Sequence, residues 1–173
     1  MKILHTSDWH IGRTFHGHNT LEALSSVLDV MVEEVRVREI DVVIVAGDVF
    51  DSATPSAACY PVLAGALSRL REAGAKVIVT SGNHDSAARL GFMAEFTAGA
   101  GIHIVTDPAS VGQPIHIDDE HGPVLFYGIP YLEPTMVRAQ WPGVALRTQE
   151  QTITHAMGLV RDDLAARRSA DAA

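Results

Sequence analysis

Three runs of apolar, mostly β-branched residues, at positions 2–6, Val42–Ala46 and Lys76–Thr80, alternate with two stretches of helical periodicity. Runs of this length and type read as buried strands. Between the first two, Leu21, Leu24, Val27, Leu28, Met31 and Val35 recur at helical spacing. Asn19, with Glu22 three residues on, offers a capping box at the start of that helix, which should run to about Arg38. Before the third run, Pro55 suits a helix opening. Val62, Leu63, Ala66, Leu67 and Leu70 then share one face, and Gly74 supplies the stop. A β-α-β-α-β order confines the chain to an α/β fold. Its strands should be parallel, its crossovers right-handed and its sheet covered on both faces.

The polar residues fall where such a topology would gather them. Asp8-Trp9-His10, Gly47-Asp48-Val49-Phe50-Asp51 and Gly82-Asn83-His84-Asp85 each sit just past a strand run. In open parallel sheets, ligands bind beyond the carboxyl ends of the strands, so the three clusters should meet along one edge. Carboxylate, imidazole and amide groups are hard-to-borderline donors that suit Mn²⁺, Fe²⁺ or Zn²⁺ rather than a thiolate site. Singly, each cluster is bland. An Asp after Gly is a solvated turn residue, an Asp-x-His a loop pairing, and an Asn beside Gly a turn signal. Asp8 and His10 could face one ion only if the chain turns after its strand.

Bulk properties bound the function without choosing it. The chain has 173 residues, enough for one domain with a sizeable core. Cys59 is alone, so no internal disulfide forms, which suits a reducing cytosol. His5 and Asp8 interrupt the apolar start, so no signal peptide is read there. No stretch is apolar enough to span a membrane. A net charge of −8 argues against a protein that passively coats nucleic acid. It leaves phosphate chemistry open, because two bound dications would bring the total to −4 and place positive charge where a phosphodiester must sit.

Further on, residues 87–98 read as a helix and Ile102–Val105 as a short strand. Segments 115–117 and 124–127 read as antiparallel or edge strands around an acidic turn at 118–122. Residues 128–134 read as loop, 149–167 as a last helix and 168–173 as a frayed tail.

Taken in order, Asp8-Trp9-His10, Gly47-Asp48-Val49-Phe50-Asp51 and Gly82-Asn83-His84-Asp85 match the calcineurin-like metallophosphoesterase pattern of D-x-H, G-D-x-x-D and G-N-H-D/E. The flanking residues 5–17, 80–92 and 127–131 resemble one branch of it, the SbcD nuclease subunits of bacterial SbcCD complexes. The similarity runs from Met1 to about Leu164. It implies a layered α/β/β/α metallophosphoesterase fold with two divalent metal ions, Mn²⁺ first among them. The expected ligands are Asp8, His10, Asp48 and Asn83, with Asp48 shared between the ions. Two dications about 3.5–4 Å apart repel by on the order of 20 kcal/mol at an effective dielectric of about 20, so a shared anion is required. His84 is expected to be catalytic, stabilising the transition state and protonating the leaving oxygen. Asp85 or a backbone carbonyl would fix its ring. Asp51 would orient a ligand or cap the turn.

The resemblance also implies exonuclease and endonuclease action on DNA in repair and recombination, with an SMC-like ATPase partner of the SbcC type and a homodimer, in the cytoplasm. Arg13, His16 and Arg89, with His18, are candidate DNA contacts or ordinary loop residues. His103, His116, His121 and His155 read as structural or solvent-facing, and Trp9 and Phe50 as packing beneath the site. Family members complete the site with a later isolated His and a Gly-His-x-His motif, which these residues lack. The chain is therefore expected to be the N-terminal portion of such a nuclease domain. The capping domain and ATPase-binding segment would lie beyond it, and alone it should bind metal weakly and show little activity. Two other readings stay open: a phosphoesterase of small phosphoesters or cyclic nucleotides, and a non-catalytic scaffold of the same fold.

Overall fold

In a computed structural model, which describes residues 1–171, the strand runs pair in register as a four-stranded parallel sheet. The chain forms two compact units, the first being Met1–Thr106 and the second beginning at Asp107. The first unit opens with β1 (Ile3–Thr6), a small hairpin of β2 (Thr14–Phe15) and β3 (His18–Asn19), then α1 (Leu21–Arg38) and β4 (Val42–Ala46). It continues with α2 (Cys59–Glu72), β5 (Lys76–Thr80), α3 (Ala87–Leu90), α4 (Ala94–Ala98) and β6 (Ile102–Val105). The sheet order is β1-β4-β5-β6, and every neighbouring pair is parallel.

That order decides which face of the sheet the helices take. Strands added in one direction by right-handed crossovers place every helix on the same side. Helices on both faces require the order to reverse. The register sets Leu4, Val43, Val77 and Ile102 abreast on one face, followed by Thr6, Val45, Val79 and Ile104. Leu28, Val32 and Val35 of α1 and Leu63, Ala66, Leu67 and Leu70 of α2 share one core with Val43, Val45, Val77 and Val79. Both helices therefore lie on this face and pack on each other. Burying a Val or Leu side chain is worth about 1.5–3 kcal/mol, so this contact is a main source of the unit's stability.

Local helix signals are less faithful than the strand pattern. Thr20, not Asn19, is the N-cap of α1; it makes no side-chain cap bond, and its hydroxyl donates to Arg13 O. Asn19 accepts from Leu21 N, so the expected capping box with Glu22 does not form. Pro55 does not open α2, which starts four residues later at Cys59. Gly74, at φ 103°, does stop it. Residues 87–98 are not one helix. A 3₁₀ turn over Gly91–Met93 separates α3 from α4. The backbone passes so close to the Thr106 side chain, just past β6, that a Cβ on Gly91 would lie 2.4 Å from its Oγ1.

The second unit contains an antiparallel hairpin of β7 (Ile115–Asp119) and β8 (Gly122–Phe126), then α5 (Pro134–Val137) and α6 (Gln149–Asp171). The strands reach further into the acidic turn than expected, leaving Glu120 and His121 at its tip, and β8 ends before Tyr127. Residues 168–171 are helical rather than frayed, and 172–173 lie outside the described residues. Val111, Leu132, Val137, Trp141, Leu146, Ala156 and Val160 form its core. Tyr127 Oη donates to Asp163 Oδ2 at 2.7 Å, and Arg167 Nε donates to the same oxygen at 2.6 Å. Among the described residues, no helix is long and apolar enough to cross a membrane.

Candidate metal centre

Parallel pairing continues past the strand ends and laces the loops together. Asp8 N donates to Gly47 O at 3.1 Å, His10 N to Asp48 O at 2.9 Å and Ile11 N to Val49 O at 2.9 Å. Asp51 N returns a bond to Ile11 O at 3.2 Å, and Gly47 N reaches across to Thr80 O at 3.1 Å. Asp8, His10 and Asp48 all adopt left-handed backbone, with φ of 56°, 44° and 49°. This conformation costs roughly 1–2 kcal/mol per residue, and Asp and His are among the side chains that adopt it most often. It is the turn that the spacing of Asp8 and His10 demands. Side chains two apart share a face of an extended strand but stand about 6.6 Å from each other, and the turn brings them toward a common point.

His10 is the hub. Its Nε2 lies 3.8 Å from Asp8 Oδ1 and 3.9 Å from Asp48 Oδ2. These separations are too long for hydrogen bonds. They fall within the reach of two coordination bonds of about 2.1 Å each to a common divalent ion. Its Nδ1 is buried and 3.1 Å from Asp51 Oδ1, yet has no aligned hydrogen bond. The contact is electrostatic, since proximity without alignment is weak as a hydrogen bond but still orients the ring. An Nδ1 turned to a carboxylate leaves the Nε2 lone pair facing Asp8 and Asp48, as metal-binding histidines require. The donor set thus fits a divalent cation. His10 and Asp48 are largely buried, with side chains 14% and 13% exposed. Asp8 stands at the open rim.

His84 and Asp48 are joined through the backbone, His84 N donating to Asp48 Oδ1 at 3.0 Å. His84 Nδ1 lies 2.9 Å from Asp51 O. Of the two ring partners anticipated, the carbonyl is therefore the one used, and Asp85 does not touch the imidazole. This bond places the proton on Nδ1 and leaves Nε2 free. The pKa of His84 is raised above its ordinary value. The bond to the Asp51 carbonyl is the main cause, opposed by burial and aided by the charges of Asp48, Asp51 and Asp85. The His10 and His84 rings meet edge to face, centroids 4.9 Å apart. Among the described residues, His10, Asp48 and His84 form a group whose donor atoms all lie within 4.8 Å of one another.

Asn83 is exposed in the turn between Gly82 and His84. Asp85 turns inward: Oδ2 accepts from Val49 N at 3.0 Å and Gly82 N at 2.8 Å, and Oδ1 from Phe50 N at 2.8 Å. Sequence reasoning missed this arrangement, and no local signal announces it. Trp9 and Phe50 pack beneath the loops as anticipated, Trp9 Nε1 donating to Thr6 Oγ1.

Of the candidate DNA contacts, Arg89 donates to Ala53 O at 3.0 Å and so braces the loop after β4. Arg13 and His16 are exposed at the hairpin, whose tip is the left-handed pair His16-Gly17. His155 lies edge-on to Trp141 in the second unit, His103 is half-buried in β6, and His116 and His121 are exposed.

A family model described as calcineurin-like phosphoesterase matches residues 1–162.

Proposed function

This chain belongs to the calcineurin-like phosphoesterase family, and from that premise we propose that it is a Mn²⁺-dependent phosphodiesterase acting on DNA. Membership makes it one of a class of metal-dependent phosphoester hydrolases. The finer reading rests on the residues flanking the motifs, which resemble SbcD nuclease subunits. The single observation that carries the site assignment is the position of His10 Nε2, facing carboxylates from two different loops at 3.8 and 3.9 Å.

Asp8, His10 and Asp48 would hold one divalent cation, and Asp48 and Asn83 a second. When bound, such cations neutralise charge on the phosphate and lower the pKa of water, supplying a nucleophile at neutral pH. The chain's own residues do the rest. Asp51 orients His10 through its carboxylate and His84 through its carbonyl. His84 presents a protonatable Nε2 to the departing oxygen, its Nδ1–H held by the Asp51 carbonyl that is the main cause of its raised pKa. Arg13, His16 and Arg89 would supply positive charge to the phosphates that flank the scissile bond. An SMC-like ATPase of the SbcC type, a homodimer and a cytoplasmic setting complete the reading.

The test is cleavage of labelled hairpin DNA with and without Mn²⁺ by the full-length protein as wild type, Asp48→Ala and His84→Ala. Both variants should lose cleavage by at least about a hundredfold. Undiminished cleavage by Asp48→Ala would refute the assignment of that residue. Faster turnover of a small aryl phosphodiester than of DNA would favour a small-substrate esterase, and the absence of Mn²⁺ binding by calorimetry would favour a scaffold.

A further inference from the structure

We infer that Asp85 is a positioning residue: its carboxylate pins the loop after β4 to the loop after β5 and holds the ligand geometry ready before any cation arrives. The inference rests on the proposed reading of Asp48 and Asn83 as ligands. Two oxygens of one side chain take three backbone N–H groups, from Val49, Phe50 and Gly82. Each bond to an ionised carboxylate is stronger than a neutral one. Each of those amides adjoins a residue of the centre. Val49 follows Asp48, Phe50 precedes Asp51, and Gly82 precedes Asn83.

The need for a pin is visible in the backbone. Asp48 sits at φ 49° immediately after Gly47 at φ 81°. Strained conformations of this kind persist only where the surroundings over-determine them. The two loops also touch closely enough that a Cβ on Gly82 would lie 2.1 Å from Asp48 Oδ1. A shift of either loop therefore moves the carboxylate. Asp85 acts on this contact through its hydrogen bonds, whereas the imidazole of His84, whose Nδ1 is held by the Asp51 carbonyl, feels only its charge. An Asn at position 85 keeps the shape but turns an NH₂ toward an amide N–H, leaving at least one donor unpaired.

The pin can be observed without any substitution. In the metal-free wild type, NMR should show scalar couplings across the hydrogen bonds from the Val49, Phe50 and Gly82 amides to the Asp85 carboxyl carbon. Their absence overturns the inference. In Asp85→Asn, amide exchange at those three positions should quicken at least tenfold while Val43 and Val77 in the sheet stay protected. Mn²⁺ affinity should fall about tenfold to a hundredfold. The pH profile of hydrolysis at saturating Mn²⁺ should move only slightly, because His84 keeps the Asp51 carbonyl and loses the least of the charges that act on it. Unchanged affinity with a displaced profile would mean that Asp85 serves His84 instead, and would overturn the inference. Failure of the wild type to bind Mn²⁺ would sink the proposed function while leaving the couplings to decide the pin.

Discussion

Gly82→Ala is the sharpest test of how tightly the loops are built. A methyl group at that position would stand 2.1 Å from Asp48 Oδ1, 2.2 Å from Asp48 N and 2.8 Å from Asp48 Cγ. No rotamer relieves this, because one of the atoms is backbone and the others belong to a short side chain fixed by the His84 amide at 3.0 Å. Overpacking of this kind costs about 1–3 kcal/mol, and losing a hydrogen bond to a carboxylate adds about 1.5–3 kcal/mol. The loops can escape only by moving Asp48 away from His10. If about 2–3 kcal/mol of that loss falls on cation binding, Mn²⁺ affinity drops roughly 30- to 150-fold. Calorimetric titration of wild type, Gly82→Ala and the control Gly99→Ala measures it directly. Gly99 has open space around its Cβ position and should bind as the wild type does. A Gly82→Ala protein that bound Mn²⁺ within twofold of wild type and melted with it would refute the idea that contact between these loops sets the position of Asp48.

Other outcomes follow from the same structure. Leu70 is fully buried between α2 and the sheet, so Leu70→Ala should lose about 2–5 kcal/mol in urea unfolding. The pKa of His103 is held below its ordinary value by burial first and then by Lys76 and Arg71. Its contribution to stability is therefore complete above the unfolded-state pKa of about 6.5 and is lost as pH falls through the lower folded value. Melting temperature should decline on acidification, and His103→Asn should flatten that decline. In the second unit, Arg167 first and Tyr127 next hold the Asp163 carboxyl below its usual range. Arg167→Met should lower the melting temperature at neutral pH, and the difference should vanish in acid once Asp163 is protonated.

The strands and the positions of the site residues were legible because both depend on short-range pattern. β-branched runs find the sheet, and an α/β topology dictates that polar residues past strand ends share an edge. What could not be read depends on approach distances that no local window contains. Gly91 looks like a residue a helix could absorb, and nothing local announces that its backbone lies against the Thr106 side chain. Pro55 is permissive at a helix start without compelling one. Asn19 and Thr20 are both competent caps, and Thr20 gives its hydroxyl to a carbonyl from an earlier loop. Asp85 stands next to His84 in the chain, yet its partners Val49 and Phe50 lie 36 and 35 positions back.

Hydrogen-bonded strands lie about 4.8 Å apart, so a parallel sheet acts as a ruler for whatever hangs from its ends. Here β1, β4 and β5 are consecutive marks on that ruler, and the outer two stems stand about 10 Å from each other. Only the middle stem is one mark from both flanks. A residue that must answer to both sides has to be carried there, and Asp48 is: one oxygen faces His10 and the other takes the amide of His84. Rank in the sheet, more than chemical identity, singles this aspartate out from the others nearby.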